Sequence, residues 1–379
     1  MLMRRHIFIY GFSMFSMFFG SGNLVFPLKI GLESGSSWLL GFLGLFLTGI
    51  VLPFLGLFVI KLHKGNYFSF FLEAGKSAGL FLPLFTLSLL GAFGVVPRCI
   101  TVAHGGIEYI FKDLSLTLFS LVFCIISYLI SLKDTRMVTI IGKWLTPIKL
   151  LSLALLIGLG VVYAPPLQSA SAHGFSIGFH EGYETMDLFA AFFFSALIFN
   201  QLQQLTNGSQ DTKTIIRTAL KPSLIGAGLL AIVYFGFVYL GAAYGTIVNN
   251  VAPELILPSI ATHLMGEKAS LLIGITVVFS CLTTAIALNN IYARYLCTAL
   301  KLKESMFPII LLATTVVSFL VSLLDFKGIA AFLGPILEIS YPGLIVLTVL
   351  SICLKDQIAV KKFAFYGMVV FMLWYKYGS

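Results

Sequence analysis

The chain has 379 residues, 59% of them apolar and only 10% charged, with a net charge of +9 and a mean hydropathy of +1.00. Water-soluble domains run at about 45–50% apolar and about 25% charged. So much apolar surface cannot be hidden in one or two soluble cores, which excludes a soluble enzyme, a nucleic-acid-binding domain and a disordered chain.

A bilayer-crossing helix needs about 20 mostly apolar residues. Windows nearly free of charge occur at 7–28, 37–60, 79–106, 114–132, 138–163, 187–204, 222–244, 269–293, 305–324, 328–354 and 363–375. They predict about eleven spans, with ten and twelve as the bounds. The last window is short, and the tenth holds Glu338 with Pro342 close behind it. Arg4 and Arg5 before an apolar run resemble a signal peptide, but no small-residue cleavage site follows and Asn23 and Pro27 interrupt the run. It is read as the first span. No polar stretch is long enough for an independent soluble fold, so the chain reads as one membrane domain.

Basic residues set the orientation. With the N terminus in the cytoplasm, seventeen Lys and Arg fall on the inner side and only Lys112, Lys268, Lys327 and Lys376 on the outer side. Lys29, Arg98 and Lys149 lie within spans. The five cysteines, Cys99, Cys124, Cys281, Cys297 and Cys353, sit in apolar runs without the spacing of a metal site or disulfide framework.

Enzyme motifs fail on inspection. Ala74-Gly75-Lys76-Ser77 lacks the first Gly of a phosphate-binding loop, because Phe70 stands there. His180-Glu181 lacks a second His, with Glu184 in its place. Gly20-Ser21-Gly22 lacks the third Gly of a dinucleotide fingerprint. No enzyme is expected. Gradient-driven transport and a passive structural role remain.

The most informative segment is Phe18-Phe19-Gly20-Ser21-Gly22-Asn23-Leu24-Val25-Phe26-Pro27, which breaks the first span about midway. Gly and Ser lower helix propensity and Pro27 frees a carbonyl one turn earlier. Bare backbone in hydrocarbon survives only where it lines a polar cavity. The amides after such a break suit an anion, and the carbonyls before it suit a cation. The competing reading is that Gly20 and Gly22 serve close helix packing.

Residues 11–27, Gly-Phe-Ser-Met-Phe-Ser-Met-Phe-Phe-Gly-Ser-Gly-Asn-Leu-Val-Phe-Pro, resemble the opening signature of the bacterial branched-chain amino acid:cation symporters, the LIVCS family. Further matching points are Gly94 with Pro97-Arg98, Gly142 with Thr146-Pro147, Gly182 to Asp187, Thr283-Thr284, and Tyr341-Pro342-Gly343. The resemblance covers about residues 6–355. It implies an all-α polytopic protein of the leucine-transporter-like fold, a 5+5 inverted repeat with discontinuous helices one and six. Repeat one would run over about 6–163, repeat two over about 186–354, and an extra helix over about 361–375. The family usually has twelve spans, one more than the windows here supply.

The same resemblance implies a substrate site. Gly20, Ser21, Gly22 and Asn23 would line it from span one, and Phe193, Phe194 and Ser195 would form its apolar half from span six. Taken alone, Phe192-Phe193-Phe194-Ser195-Ala196 reads as an ordinary bulky helix, and Asp187 as the cap at the outer end of span six. Sodium would be held by the carbonyls of Ser16, Phe19 and Ser280 and the hydroxyls of Thr283 and Thr284. The bland alternative for those hydroxyls is back-bonding to carbonyls one turn earlier. Arg98 and Glu338 are intramembrane charges that read as a gating pair, a coupling device, or side chains near the membrane faces. The scattered histidines receive no role.

The expected function is sodium-coupled uptake of Leu, Ile and Val across a bacterial cytoplasmic membrane by a monomer, with no cofactor other than the coupling ion. Proton coupling or exchange of another neutral amino acid is the alternative. A non-transporting scaffold is the reading from a different class.

Overall fold

The structure is a computed structural model that describes residues 2–108, 111, 113–132, 145–167, 171–205, 212–354 and 356–378. The first part of the fifth window, with Gly142, and the basic residues Lys112, Lys133, Arg136, Lys143 and Lys355 lie outside them. Every regular element among the described residues is a helix.

The first window divides into α1 (Leu2–Phe18) and α2 (Ser21–Ser34). The second runs through α3 (Trp38–Phe46) and α4 (Leu52–Leu62), joined by a wide turn at Leu47–Val51. Pro53 explains that turn. It has no N–H to give and its ring crowds the carbonyl four residues back, so the local ladder opens into a π turn. The third window is α5 (Lys76–Leu90) and α6 (Val95–Glu108), interrupted at 91–94. α7 (Leu116–Ser131) and α8 (Thr146–Val162) follow.

α9 (Gly174–Glu184) lies between the fifth and sixth windows, and α10 (Asp187–Leu205) follows at 47° to it after two residues. Next come α11 (Thr212–Ala243), α12 (Ile256–Ala299, kinked at Gly266), α13 (Phe307–Ser322), α14 (Asp325–Cys353) and α15 (Ile358–Tyr377). At 20 residues, α15 is longer than its apolar window because Lys361 and Lys362 lie within its first turns. Among the described residues, seven helical runs, including Ser21–Leu62 and Lys76–Glu108, are long and apolar enough to cross a membrane, or eight with α9–α10 counted as one, beside three shorter apolar helices.

The bundle holds one large buried cluster, while Phe363, Leu151, Val162 and Trp374 point outward. An apolar exterior is what lipid permits and water does not. Close packing inside needs small residues. A Cβ on Gly31 of α2 would lie 1.9 Å from the Val238 carbonyl of α11, so these two backbones touch only because Gly31 is glycine.

Candidate substrate and ion site

The two short breaks meet. α1 ends at Phe18 and α2 begins at Ser21, and the α9–α10 break falls at Thr185 and Met186. A Cβ on Gly22 would stand 3.0 Å from the Thr185 Cα and 3.4 Å from the Glu184 carbonyl oxygen. Span one thus passes span six backbone against backbone at the point where both lose their helical hydrogen bonds. Met186 has φ +58°, an uncommon left-handed value for a residue with a side chain.

On one side of this junction sits a carboxylate. Asp187, the first residue of α10, is buried and its Oδ2 accepts hydrogen bonds from Asn23 Nδ2 at 2.7 Å and the Tyr234 hydroxyl at 2.9 Å. Asn23 Nδ2 also donates to the Tyr234 hydroxyl, and Asn23 Oδ1 accepts from the Gly20 amide at 3.2 Å. Tyr341 accepts from the Leu188 amide at 3.1 Å and stacks on Phe189. Asp187 is the first residue of α10, with its carboxylate bonded to Asn23 and Tyr234 rather than to backbone amides of its own helix. The start lies at the junction rather than at the outer end of the span, because α9 continues the chain beyond it.

On the other side sits an ammonium. Lys149 of α8 places Nζ 2.8 Å from Ser16 Oγ and 3.4 Å from Thr283 Oγ1. The Thr283 hydroxyl lies within reach of the Ser16 carbonyl at 3.2 Å and the Ser280 carbonyl at 2.9 Å. That of Thr284 reaches the Met17 carbonyl at 2.9 Å and the Ser16 carbonyl at 3.4 Å. Ser16, Ser280, Thr283 and Thr284 therefore cluster, and the Met17 carbonyl of α1 joins them. The Phe19 amide donates to the Phe15 carbonyl at 2.8 Å, continuing the ladder past the end of α1.

A family model described as branched-chain amino acid transport protein matches residues 3–376. The chain belongs to that family. A curated relative, the branched-chain amino acid permease BraB of Bacillus subtilis, is 30% identical over 358 residues, covering 90% of this chain and 79% of that protein. Among solved structures, the nucleobase-cation-symport-1 family transporter Mhp1, closed with bromovinylhydantoin bound, superposes with a TM-score of 0.66 at 13% identity, covering 90% of this chain and 77% of that one. MhsT in complex with L-phenylalanine gives 0.59 at 15% identity, covering 95% and 97%. The fold of this family member is leucine-transporter-like, an all-α polytopic membrane protein of a transport family and not an enzyme.

Some residues singled out in the sequence lie elsewhere than expected. Phe193 packs on Tyr67 and Phe71, and Ser195 donates to the Leu57 carbonyl of α4 at 2.7 Å. Each lies about 100° around α10 from Phe194, which turns them toward these neighbours rather than toward the junction. Phe194 does reach it, edge-on to Phe18 at 5.1 Å. Arg98 and Glu338 do not pair. Arg98 is buried, donates to the Glu184 carbonyl at 2.8 Å and faces the Glu184 carboxylate at 3.5 Å, which ties α6 to the end of α9. Glu338 is exposed and pairs with Lys376.

Lys149, Asp187, Tyr234 and Tyr341 are the partners that sequence reasoning left out or gave a lesser role. A lysine in a span without a nearby acid was the available signal for the first. For the tyrosines no local signal exists, since a Tyr in an apolar run reads as packing.

Proposed function

We propose that this protein is a secondary transporter that imports Leu, Ile and Val together with a cation, binding both where the two helix breaks meet. The observation that carries the reading is that junction, in a member of a family described by branched-chain amino acid transport. The substrate carboxylate faces the free amides at the start of α2, at Ser21 and Gly22, since a helix N-terminus favours an anion. Its ammonium faces Asp187 and the Thr185 carbonyl, and its aliphatic side chain lies against Phe18 and Phe194.

Sodium is the proposed coupling ion, because neutral carbonyl and hydroxyl oxygens suit a hard cation. They come from Ser16, Met17, Ser280, Thr283 and Thr284. Proton coupling is the second reading, and Lys149 at that position favours it. We place the protein as a monomer in a bacterial cytoplasmic membrane with its N terminus inside, as the distribution of basic residues supports.

Radiolabelled leucine uptake by purified protein in liposomes tests the proposal, with a sodium gradient against a choline control. Uptake driven by sodium and blocked by excess Ile or Val is expected; no uptake, or indifference to Ile and Val, sinks the reading. For orientation, a cysteine at Ser171 in a background lacking the native five should react with an impermeant reagent in intact cells, and one at Lys64 should not.

A further inference from the structure

The cluster of oxygens at the end of α1 is not a bare cage. The Lys149 ammonium shares Ser16 and Thr283 with it, lies over the faces of Phe15 at 5.9 Å and Phe19 at 5.6 Å, and is buried. None of the ion pairs among the described residues includes it. Its contacts are hydroxyls and aromatic faces, the surroundings that would otherwise receive a free cation. Two unit charges about 4 Å apart in a protein interior repel enough to lower the affinity of the second on the order of a thousandfold. Ammonium and sodium exclude each other here.

We propose that Lys149 is the tethered occupant of the coupling-ion position. Its ammonium bridges Ser16 of α1 to Thr283 of α12 in the ion-free carrier and withdraws when sodium binds. The proposal rests on the symporter reading above and deepens it. A secondary carrier has to recross the membrane without cargo. Carbonyls and hydroxyls stripped of their ion would then be buried without a cationic partner, which a membrane interior penalises. Lys149 supplies that partner from within the chain, on a flexible four-carbon stem that lets the charge swing away again. It also sets the sodium affinity below what the oxygens alone would give, which favours release once the gradient has been used.

The test measures sodium binding rather than transport. Purified native protein, Lys149→Gln, Lys149→Met and Lys149→Arg are unfolded by heat without leucine, in rising sodium with choline holding the ionic strength constant. A ligand that binds only the native state stabilises it by RT ln(1 + [L]/Kd), so the sodium concentration at which the melting temperature begins to climb tracks Kd. Removing the competitor should lower the sodium Kd obtained this way at least tenfold in Lys149→Gln. Lys149→Met, which keeps the stem without the charge, should match it and serves if the Gln variant does not fold. Lys149→Arg should stay at or above the native value. An unchanged or weakened sodium response in the Gln and Met variants overturns the proposal, because a bridging residue of purely structural value would lose stability without gaining sodium affinity.

Leucine uptake by the same preparations separates the two readings. A tenfold gain in sodium response without leucine uptake leaves Lys149 as proposed and sinks the transport reading. Uptake with no sodium response in any of the four proteins sinks the sodium reading and the Lys149 proposal with it.

Discussion

At the end of α1 an ammonium lies among hydroxyls and aromatic faces, whereas at the start of α2 and α10 a carboxylate lies among an amide and a phenol. Only Phe19 and Gly20 separate the two helices of span one. Helix ends account for the contrast. The last carbonyls of a helix are unpaired and carry partial negative charge, and the first amides carry partial positive charge. Breaking one span in mid-membrane creates both ends at once, side by side. The Thr283 and Thr284 hydroxyls reach carbonyls of the first end with Lys149 beside them, and Asp187 stands next to the second through the Asn23 side chain. One break therefore sets a polar end of each sign within a few residues, as the proposed co-transport of an ion and a zwitterion would use.

The strongest way to break this comparison is to fill the junction. Gly22→Leu puts a side chain where the Thr185 backbone already stands at 3.0 Å from an added Cβ. Leucine uptake should be abolished while membrane insertion, followed by protein level in isolated membranes, is kept. Uptake at the native rate would show that the glycines serve only packing.

Next in size is the anionic side. Asp187→Asn keeps the shape but removes the charge that accepts from Asn23 and Tyr234. Hydrogen bonds to charged groups contribute about 1.5–3 kcal/mol, so half-saturating leucine should rise about ten- to hundredfold. Tyr234→Phe removes only one of the two donors and should cost about 1 kcal/mol, roughly a fivefold rise. Equal effects from the two variants would mean that the carboxylate serves only to position Tyr234.

The two breaks also differ in how far they could be read from sequence. In span one, Gly20, Gly22, Asn23 and Pro27 each weaken a helix, and their coincidence announces the interruption. Span six breaks at Thr185-Met186, where neither residue is Gly or Pro and the distortion is carried by Met186 in the left-handed region. Tertiary contacts impose that conformation: Gly22 against Thr185, and Arg98 on the Glu184 carbonyl. No local rule foresees it. The fold class and most spans were legible because hydrophobic windows obey the thickness of the bilayer. The clustering of Ser16 with Thr283 and Thr284 followed from family resemblance, and the arrival of Lys149 among them did not, since a side chain's destination across the bundle leaves no trace in its own helix.

On the cationic side, Thr284→Ala deletes a hydroxyl that reaches the Met17 and Ser16 carbonyls, and alanine is the better helix former, so the helix itself should be undisturbed. Losing one of about five oxygens should weaken sodium by about 1–3 kcal/mol, a ten- to hundredfold rise in the sodium needed for half-maximal uptake. Because coupling is reciprocal, leucine affinity should fall at low sodium and recover as sodium is raised. Thr284→Ser keeps the oxygen and should follow the native curve. Superimposable curves for Ala and Ser would reduce Thr284 to a back-bonding residue and detach the ion from this end of the break.

The smallest expected effect marks where the junction stops. Ser195 lies on α10 eight residues beyond Asp187 and spends its hydroxyl on the Leu57 carbonyl, so it fastens α10 to α4 rather than facing cargo. Ser195→Ala forfeits one buried hydrogen bond, a loss of about 1 kcal/mol in stability. Both ends of span one keep their partners, so half-saturating leucine and half-saturating sodium should each stay within about twofold of native. Thermal unfolding and liposome uptake on one preparation read the two quantities separately. A lower melting temperature with unchanged transport constants fits a fastening residue. A rise of tenfold or more in half-saturating leucine would instead bring the middle of α10 into the pocket, and the site would then extend two turns beyond the break that defines it here.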